Sequence, residues 1–317
     1  MVVRAVRRGF AAVVLLTFVS LAAADQPQTK IVETGYAIRV FPRCGQAGVA
    51  RSLAKKLTSR PIARALACAS DPAWGDALYL SMVDATEPSG DIERFDPVAN
   101  ENTVFSSPGS ESFASSLVLS PPGSAFGDIL VSSRMPFVTP PPLRIYYMNS
   151  FDPSGAPGFG LVLTYPIFTT AFDPTGGFGS KLYISTPREV QQVDPSGSVN
   201  SFSPISGGLI RFGPGGAWGS DLYSSGAGGV RIDASGFATI VPGGFGDFDW
   251  GRGAGFGDDM FARCSAGSSD ICRIHPDGTR TVWATEVPGP FAFCGDALWI
   301  YSGAGCERVT YGANRPE

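Results

Sequence analysis

Three observations predict an all-β chain folded as a six-bladed propeller. A short phrase recurs six times, as Trp74-Gly75-Asp76, Phe126-Gly127-Asp128, Phe178-Gly179-Ser180, Trp218-Gly219-Ser220, Phe256-Gly257-Asp258 and Cys294-Gly295-Asp296. The glycines of successive copies are 52, 52, 40, 38 and 38 residues apart, the length of one four-stranded blade rather than of a helical repeat. Glycine (40) and proline (26) are abundant while charged residues make up 16%, as expected for short strands joined by many turns.

Each blade follows from local rules. After each copy, one residue on, comes an apolar pair: Leu78-Tyr79, Leu130-Val131, Leu182-Tyr183, Leu222-Tyr223, Met260-Phe261 and Leu298-Trp299. These pairs mark second strands. The clearest unit runs from Gly208 to Val241, with strands predicted at 209–212, 222–223, 230–232 and 237–241. Its third and fourth strands are joined by Asp233-Ala234-Ser235-Gly236, a turn that recurs as Asp152-Pro153-Ser154-Gly155, Asp194-Pro195-Ser196-Gly197 and His275-Pro276-Asp277-Gly278. Aspartate accepts a local backbone hydrogen bond, proline presets φ, and glycine closes a type I turn into a bulged hairpin. The Asp or Ser after each repeat glycine is expected to cap the N–H groups of its strand connection rather than to bind a metal. The aromatic before the glycine is expected to pack between blades.

The sixth blade lacks a fourth strand after Arg308–Tyr311. The run Tyr36–Phe41 resembles that missing strand, so the N-terminal strand should complete the last blade and close the ring, removing open sheet edges. Six cysteines test that closure. The blade alignment predicts Cys264–Cys272 across a hairpin, and Cys44–Cys306 and Cys68–Cys294 between the two ends of the chain. A zinc site is disfavoured by the absence of a CxxC pair and by the placement of the lone histidine, His275, in a turn.

Residues 1–24 carry Arg4, Arg7 and Arg8, an apolar run and Ala22-Ala23-Ala24 before Asp25, the pattern of a secretory signal peptide. The apolar run is shorter than a spanning helix needs, so no integral membrane segment is expected after cleavage. Losing the three leader arginines takes the formal charge from −4 to −7. An acidic chain of this kind is not expected to bind nucleic acid. Residues 25–317 are read as one propeller domain, secreted or periplasmic, with an insertion over 44–63. Within it Val49, Leu53 and Leu57 fall at helical spacing, and the helix should end at Pro61.

The Gly-rich turn, the Gly-Asp-x-Leu-Tyr strand and the Arg-Ile-Asp-x-x-Gly hairpin resemble six-bladed propellers of the NHL-repeat and gluconolactonase (regucalcin-like) superfamily, over roughly Tyr36 to Tyr311. That resemblance implies a metal-dependent hydrolase, with Glu, Asn and Asp ligands projecting from inner strands into the channel. Counting back from the repeat glycines puts those slots near Ser115-Ser116, Phe168, Gly207-Gly208 and Gly246-Asp247. Asp247 is the carboxylate among them, and Asp249 follows two residues on. These two are the candidate ligands for a divalent cation, a thin set for an ion that wants several converging oxygens. No cofactor is therefore expected, with a divalent cation as the alternative.

In an up-and-down blade, first-to-second and third-to-fourth turns share one face, and the remaining connections share the other. The irregular inserts fall on the second face. They include the loop from Met135 through Phe137 and Pro140–Pro142 to Tyr146 and Tyr147, the stretch from Val83 to Ile92, and a basic run with Arg51, Lys55, Lys56, Arg60 and Arg64. Loops on a rigid scaffold are where binding usually resides. Phe137, Tyr146, Tyr147, Arg51, Lys55 and Lys56 are thus the expected binding surface. The sequence reads as an exported, non-catalytic binding or scaffold propeller that recognises a protein or glycan. A lactonase-type hydrolase and a carbohydrate-binding propeller are the alternatives.

Overall fold

A computed structural model describes residues 29–45, 62–83, 90–107, 112–136, 146–253, 255–265, 267–302 and 305–312. The chain is an all-β, six-bladed propeller. Strands β1 (Lys30–Ile31) and β2 (Tyr36–Phe41) precede the first full blade. Blade one contains β3 (Ile62–Asp71), β4 (Gly75–Val83), β5 (Ile92–Asp96) and β6 (Glu101–Ser106). Blade two contains β7 (Ser112–Leu119), β8 (Leu130–Pro136), β9 (Tyr146–Phe151) and β10 (Pro157–Leu163). Blade three runs β11 (Thr169–Phe172), β12 (Leu182–Ser185), β13 (Val190–Val193) and β14 (Val199–Ser203). Blade four runs β15 (Ile210–Phe212), β16 (Leu222–Ser224), β17 (Val230–Ile232) and β18 (Ala238–Ile240). Blade five runs β19 (Phe248–Trp250), β20 (Met260–Arg263), β21 (Ile271–Ile274) and β22 (Arg280–Thr285). Blade six supplies β23 (Phe291–Cys294), β24 (Ala297–Tyr301) and β25 (Cys306–Tyr311).

The ring closes as the sequence predicts. Strand β2 pairs antiparallel with β25, from Tyr36 opposite Tyr311 to Phe41 opposite Cys306, and supplies the outer strand of blade six. Strand β1 was not foreseen. It adds a fifth strand to blade five, Lys30 opposite Thr285 and Ile31 opposite Ala284. The first half of the N-terminal segment thus lies on one blade and the second half on the next.

The repeated phrase has a physical reason. In blade three the Tyr183 hydroxyl donates to the Phe178 carbonyl at 2.7 Å, and the two rings meet edge to face. Tyr223 does the same to Trp218 at 2.6 Å. Blade five keeps the ring contact, Phe256 on Phe261, without a hydroxyl. The aromatic, the turn and the second-strand aromatic therefore form one locally closed unit. The third-to-fourth turns also behave as read: the Asp152, Asp194 and Asp233 carboxylates each accept from backbone N–H groups two and four residues on. Gly155 and Gly236 end two of these turns at φ of +84° and +87°. A Cβ there would lie 2.5 Å from the Phe105 carbonyl oxygen and 2.2 Å from that of Phe202, so these turns close on the neighbouring blade.

The capping expectation needs correction. Asp76, Asp128, Ser180, Asp258 and Asp296 are exposed. In blades two and three the connection is capped instead from the end of the inner strand. Asp173 accepts from the N–H groups of Thr175, Gly176, Phe178 and Ser180, and the Ser120 hydroxyl bridges the Ile129 N–H and the Gly127 carbonyl.

Apolar packing is divided among the seams. Among the described residues six clusters form, each between two adjacent blades. Phe256, Phe261 and Trp283, for example, pack from blade five against Phe293, Leu298 and Val309 of blade six. Each seam also carries a polar or covalent link. Ser81 Oγ donates to the Ala114 carbonyl at 2.6 Å between blades one and two. Thr170 N donates to Ser116 Oγ between two and three, and Ile210 N to Thr169 Oγ1 between three and four. Arg211 Nε donates to the Phe248 carbonyl between four and five, and Phe293 N to Asp249 Oδ2 between five and six. The seam between six and one is joined by Cys68–Cys294. Cys44–Cys306 and Cys264–Cys272 complete the same three pairs the blade alignment predicts. Three disulfides point to an oxidising compartment.

Candidate functional site

The central channel opens on both faces, and the openings differ. On the turn face it is a cavity of about 340 Å³ whose wall includes Trp74, Pro121, Pro174, Asp249 and Arg252. On the face of the longer connections it is a cavity of about 560 Å³, within the range of small-molecule sites. Leu66, Leu117, Thr170 and Arg211 border both openings and form the waist between them.

Two inner strands are bent to build the larger mouth. The pairing of β3 with β4 slips between Ala63 and Ala65, so Arg64 is the extra residue of a bulge. The pairing of β7 with β8 slips in the same way between Ala114 and Ser116, and Ser115 is the extra residue. A bulge re-aims a side chain out of strict alternation, and both residues line the mouth. Asp247 and Arg263 face each other from blade five, with Arg263 N donating to the Asp247 carbonyl at 2.7 Å. Phe168 adds a ring that is 42% exposed.

Two arginines of the channel are held in place. Arg263 donates from Nη1 to the carbonyls of Ser269 and Val287 and from Nη2 to that of Gly289. Ser269 belongs to the small ring closed by Cys264–Cys272, so this disulfide helps position the arginine. Burial lowers the Arg263 guanidinium from its ordinary value, and the Asp247 and Asp270 carboxylates oppose that shift. Arg211 Nε lies 3.3 Å from Asp249 Oδ1. The three arginines of the mouth, Arg64, Arg211 and Arg263, share it with one carboxylate, Asp247.

Several sequence candidates are relocated. Asp247 and Asp249 do not converge. Asp247 borders the connection-face mouth, whereas Asp249 faces the turn-face opening and accepts from the Phe293 and Trp250 N–H groups while pairing with Arg211. The expected cation pair is thus separated along the channel: Asp247 precedes β19 at the connection face, whereas Asp249 lies within β19 toward the turn face and is bonded across the seam to Phe293. Among the described residues no group of three or more His, Cys, Asp or Glu converges as a metal site. Tyr146 is not a surface residue. It is 5% exposed and packs with Met148 and Leu163 in the seam between blades two and three, while Tyr147 beside it is 41% exposed. Phe137, Arg51, Lys55, Lys56 and the helix expected near Val49–Leu57 lie outside the described residues. The insertion is shorter than read, since β3 already begins at Ile62.

Arg211 and Arg263 were missed as mouth residues. The available signal was a charged residue inside an apolar inner strand, in Ile210-Arg211-Phe212, and an arginine ending a second strand beside a cysteine. The sequence places Arg64 in the basic insertion; the structure puts it on the inner strand β3, lining the mouth.

No family model matches the chain, and no curated protein matches it. Solved structures are similar to it at low identity. The β-propeller domain of Cps50 (Swd1) from Myceliophteria thermophila is 11% identical, with 80% of this chain and 96% of that chain covered at a TM-score of 0.51. A chain of a nidogen/laminin complex is 12% identical over 68% of this chain and 83% of that one, with a TM-score of 0.49. A protein of unknown function from Bacteroides caccae is 9% identical over 71% and 81%, with a TM-score of 0.45. At 11% identity the likeness to the Cps50 (Swd1) domain shows the propeller fold and nothing narrower.

Proposed function

We propose that this chain is an exported binding or scaffold propeller whose connection face, centred on the channel mouth, receives a ligand. The observation that carries this reading is the bulged pair Arg64 and Ser115, two inner strands bent at the same place toward one cavity. Export is proposed from the leader-like residues 1–24, which lie outside the described residues, together with the three disulfides. No helix among the described residues is long and apolar enough to cross a membrane.

The resemblance to lactonase propellers offers the competing reading. A divalent cation at this mouth would meet Asp247 together with the guanidinium groups of Arg64 and Arg263, and Asp249 is committed elsewhere. Such a donor set fits the ion poorly. A carbohydrate ligand is favoured by one feature, the exposed Phe168 ring at the wall, which offers a sugar an apolar face.

Elemental mass spectrometry of the mature protein, purified without chelator, followed by a lactone-hydrolysis screen, separates these readings. The binding reading expects metal well below one equivalent and hydrolysis no faster than the blank. Near-stoichiometric metal, with hydrolysis abolished by Asp247→Asn, would overturn it.

A further inference from the structure

We infer that the connection-face mouth takes a small carboxylic acid with an apolar stem, the carboxylate read by Arg64. This rests on the binding reading above and names its ligand class.

The charge balance points first. The full chain carries a formal −4, yet this cavity is lined by Arg64, Arg211 and Arg263 against the single carboxylate Asp247. The three cations are not equivalent. Arg263 has its Nη donors on three backbone carbonyls, so it contributes a fixed positive field rather than a free fork. Arg211 is partly neutralised by Asp249 from below. Arg64 is exposed and is placed by a bulge at the rim, where its planar fork matches the two oxygens of a carboxylate.

Backbone donors do not favour phosphate. The N–H groups at the rim of blade four are already bonded: Gly207 to the Thr186 carbonyl, Gly208 to Ser185 Oγ, Leu209 to Ser225 Oγ and Ile210 to Thr169 Oγ1. The nest of free amides typical of phosphate sites is therefore not formed there. The walls beside the arginines are apolar, with Phe168, Pro288 and Pro290 available to a hydrocarbon or aromatic stem. Ser115 is not an open donor, since its hydroxyl lies 3.2 Å from both the Ser133 and Ile167 carbonyls.

The test is calorimetric titration of the mature, oxidised protein with 4-phenylbutyrate, its neutral amide and inorganic phosphate. The acid should bind, with the amide and phosphate each weaker by about tenfold or more, the usual worth of a charge-assisted contact. Arg64→Gln should weaken the acid by about the same factor, Arg64→Lys by less, and Lys181→Gln on the turn face should change nothing. Equal binding of acid and amide would overturn this inference while leaving a ligand mouth in place. So would phosphate binding as tightly as the acid, or Arg64→Gln binding like the wild type. No heat with any of the three would also overturn it, and the binding reading is then decided separately by site-directed crosslinking at the mouth.

Discussion

The two faces of the ring are built on different principles. On the turn face the same problem, reversing the chain between two strands, is solved by near-identical text: an aromatic, a glycine, a second-strand tyrosine, and an Asp-Pro-Ser-Gly turn. On the connection face no phrase recurs. The inner strands bulge at Arg64 and Ser115, two disulfides fix loops, and arginines replace apolar residues. Repetition marks where local hydrogen bonding dictates sequence. Its loss marks the face on which local hydrogen bonding no longer dictates the sequence, and there recognition is proposed.

Breaking a staple on the connection face should have the largest effect. In Cys44→Ser with Cys306→Ser the Cys68–Cys294 bridge stays closed, so the chain released is the stretch from 44 to 68 with that from 294 to 306, and the chain-entropy model assigns it about 4 kcal/mol. Cys264–Cys272 closes a separation of 8, for which the same model gives about 2.5 kcal/mol. Denaturant unfolding of the two double variants should rank them in that order.

The turn face is sharpened by Asp173, which accepts from four backbone N–H groups. Asp173→Ala should cost about 2–3 kcal/mol by orphaning them. Asp128→Ala, at an exposed repeat position, should stay within about 0.5 kcal/mol. Equal losses would restore the repeat Asp and Ser as the caps. A smaller step is Tyr183→Phe or Tyr223→Phe, which removes one hydroxyl bond and should cost about 1 kcal/mol each. Blade five already has phenylalanine there, so Phe261→Tyr is a test of whether the motif transfers.

The weakest expected effect concerns acid. Hydrogen bonds from Ser154, Ser196 and Ser235 hold the Asp152, Asp194 and Asp233 carboxyls below the usual aspartate range. A depressed folded value means these groups favour the fold above the unfolded aspartate pKa of about 3.9, and that the benefit is lost as pH falls through the folded values. Converting all three to Asn should flatten the fall of Tm below that pH and leave its neutral-pH profile unchanged in shape.

What was legible in the sequence follows the same division. Glycine spacing, turn chemistry and ring closure could be read because each depends on residues near in sequence or on alignment between blades, and the cysteine pairs follow from that alignment. The mouth was legible in part: counting back from the repeat glycines finds Ser115, Ser116, Phe168 and Asp247 on its wall, but not Arg64, Arg211 or Arg263. A bulge shifts side-chain parity by one, so simple alternation mislays Arg64. Tyr146 looks like loop surface until blade three is packed over it. Asp249 looks like a ligand until the Phe293 N–H arrives from 44 residues downstream. Strand β1, two residues long, carries no pattern of its own.

The division of labour between faces is tested most directly by installing a photo-crosslinking benzoylphenylalanine at Phe168, at the mouth, or at Ser196, in a turn on the opposite face, and irradiating the protein in its producing cells. The account predicts a discrete adduct from position 168, diminished by Arg64→Gln, and none from position 196. An adduct from position 196 alone would place recognition on the repetitive face and contradict it.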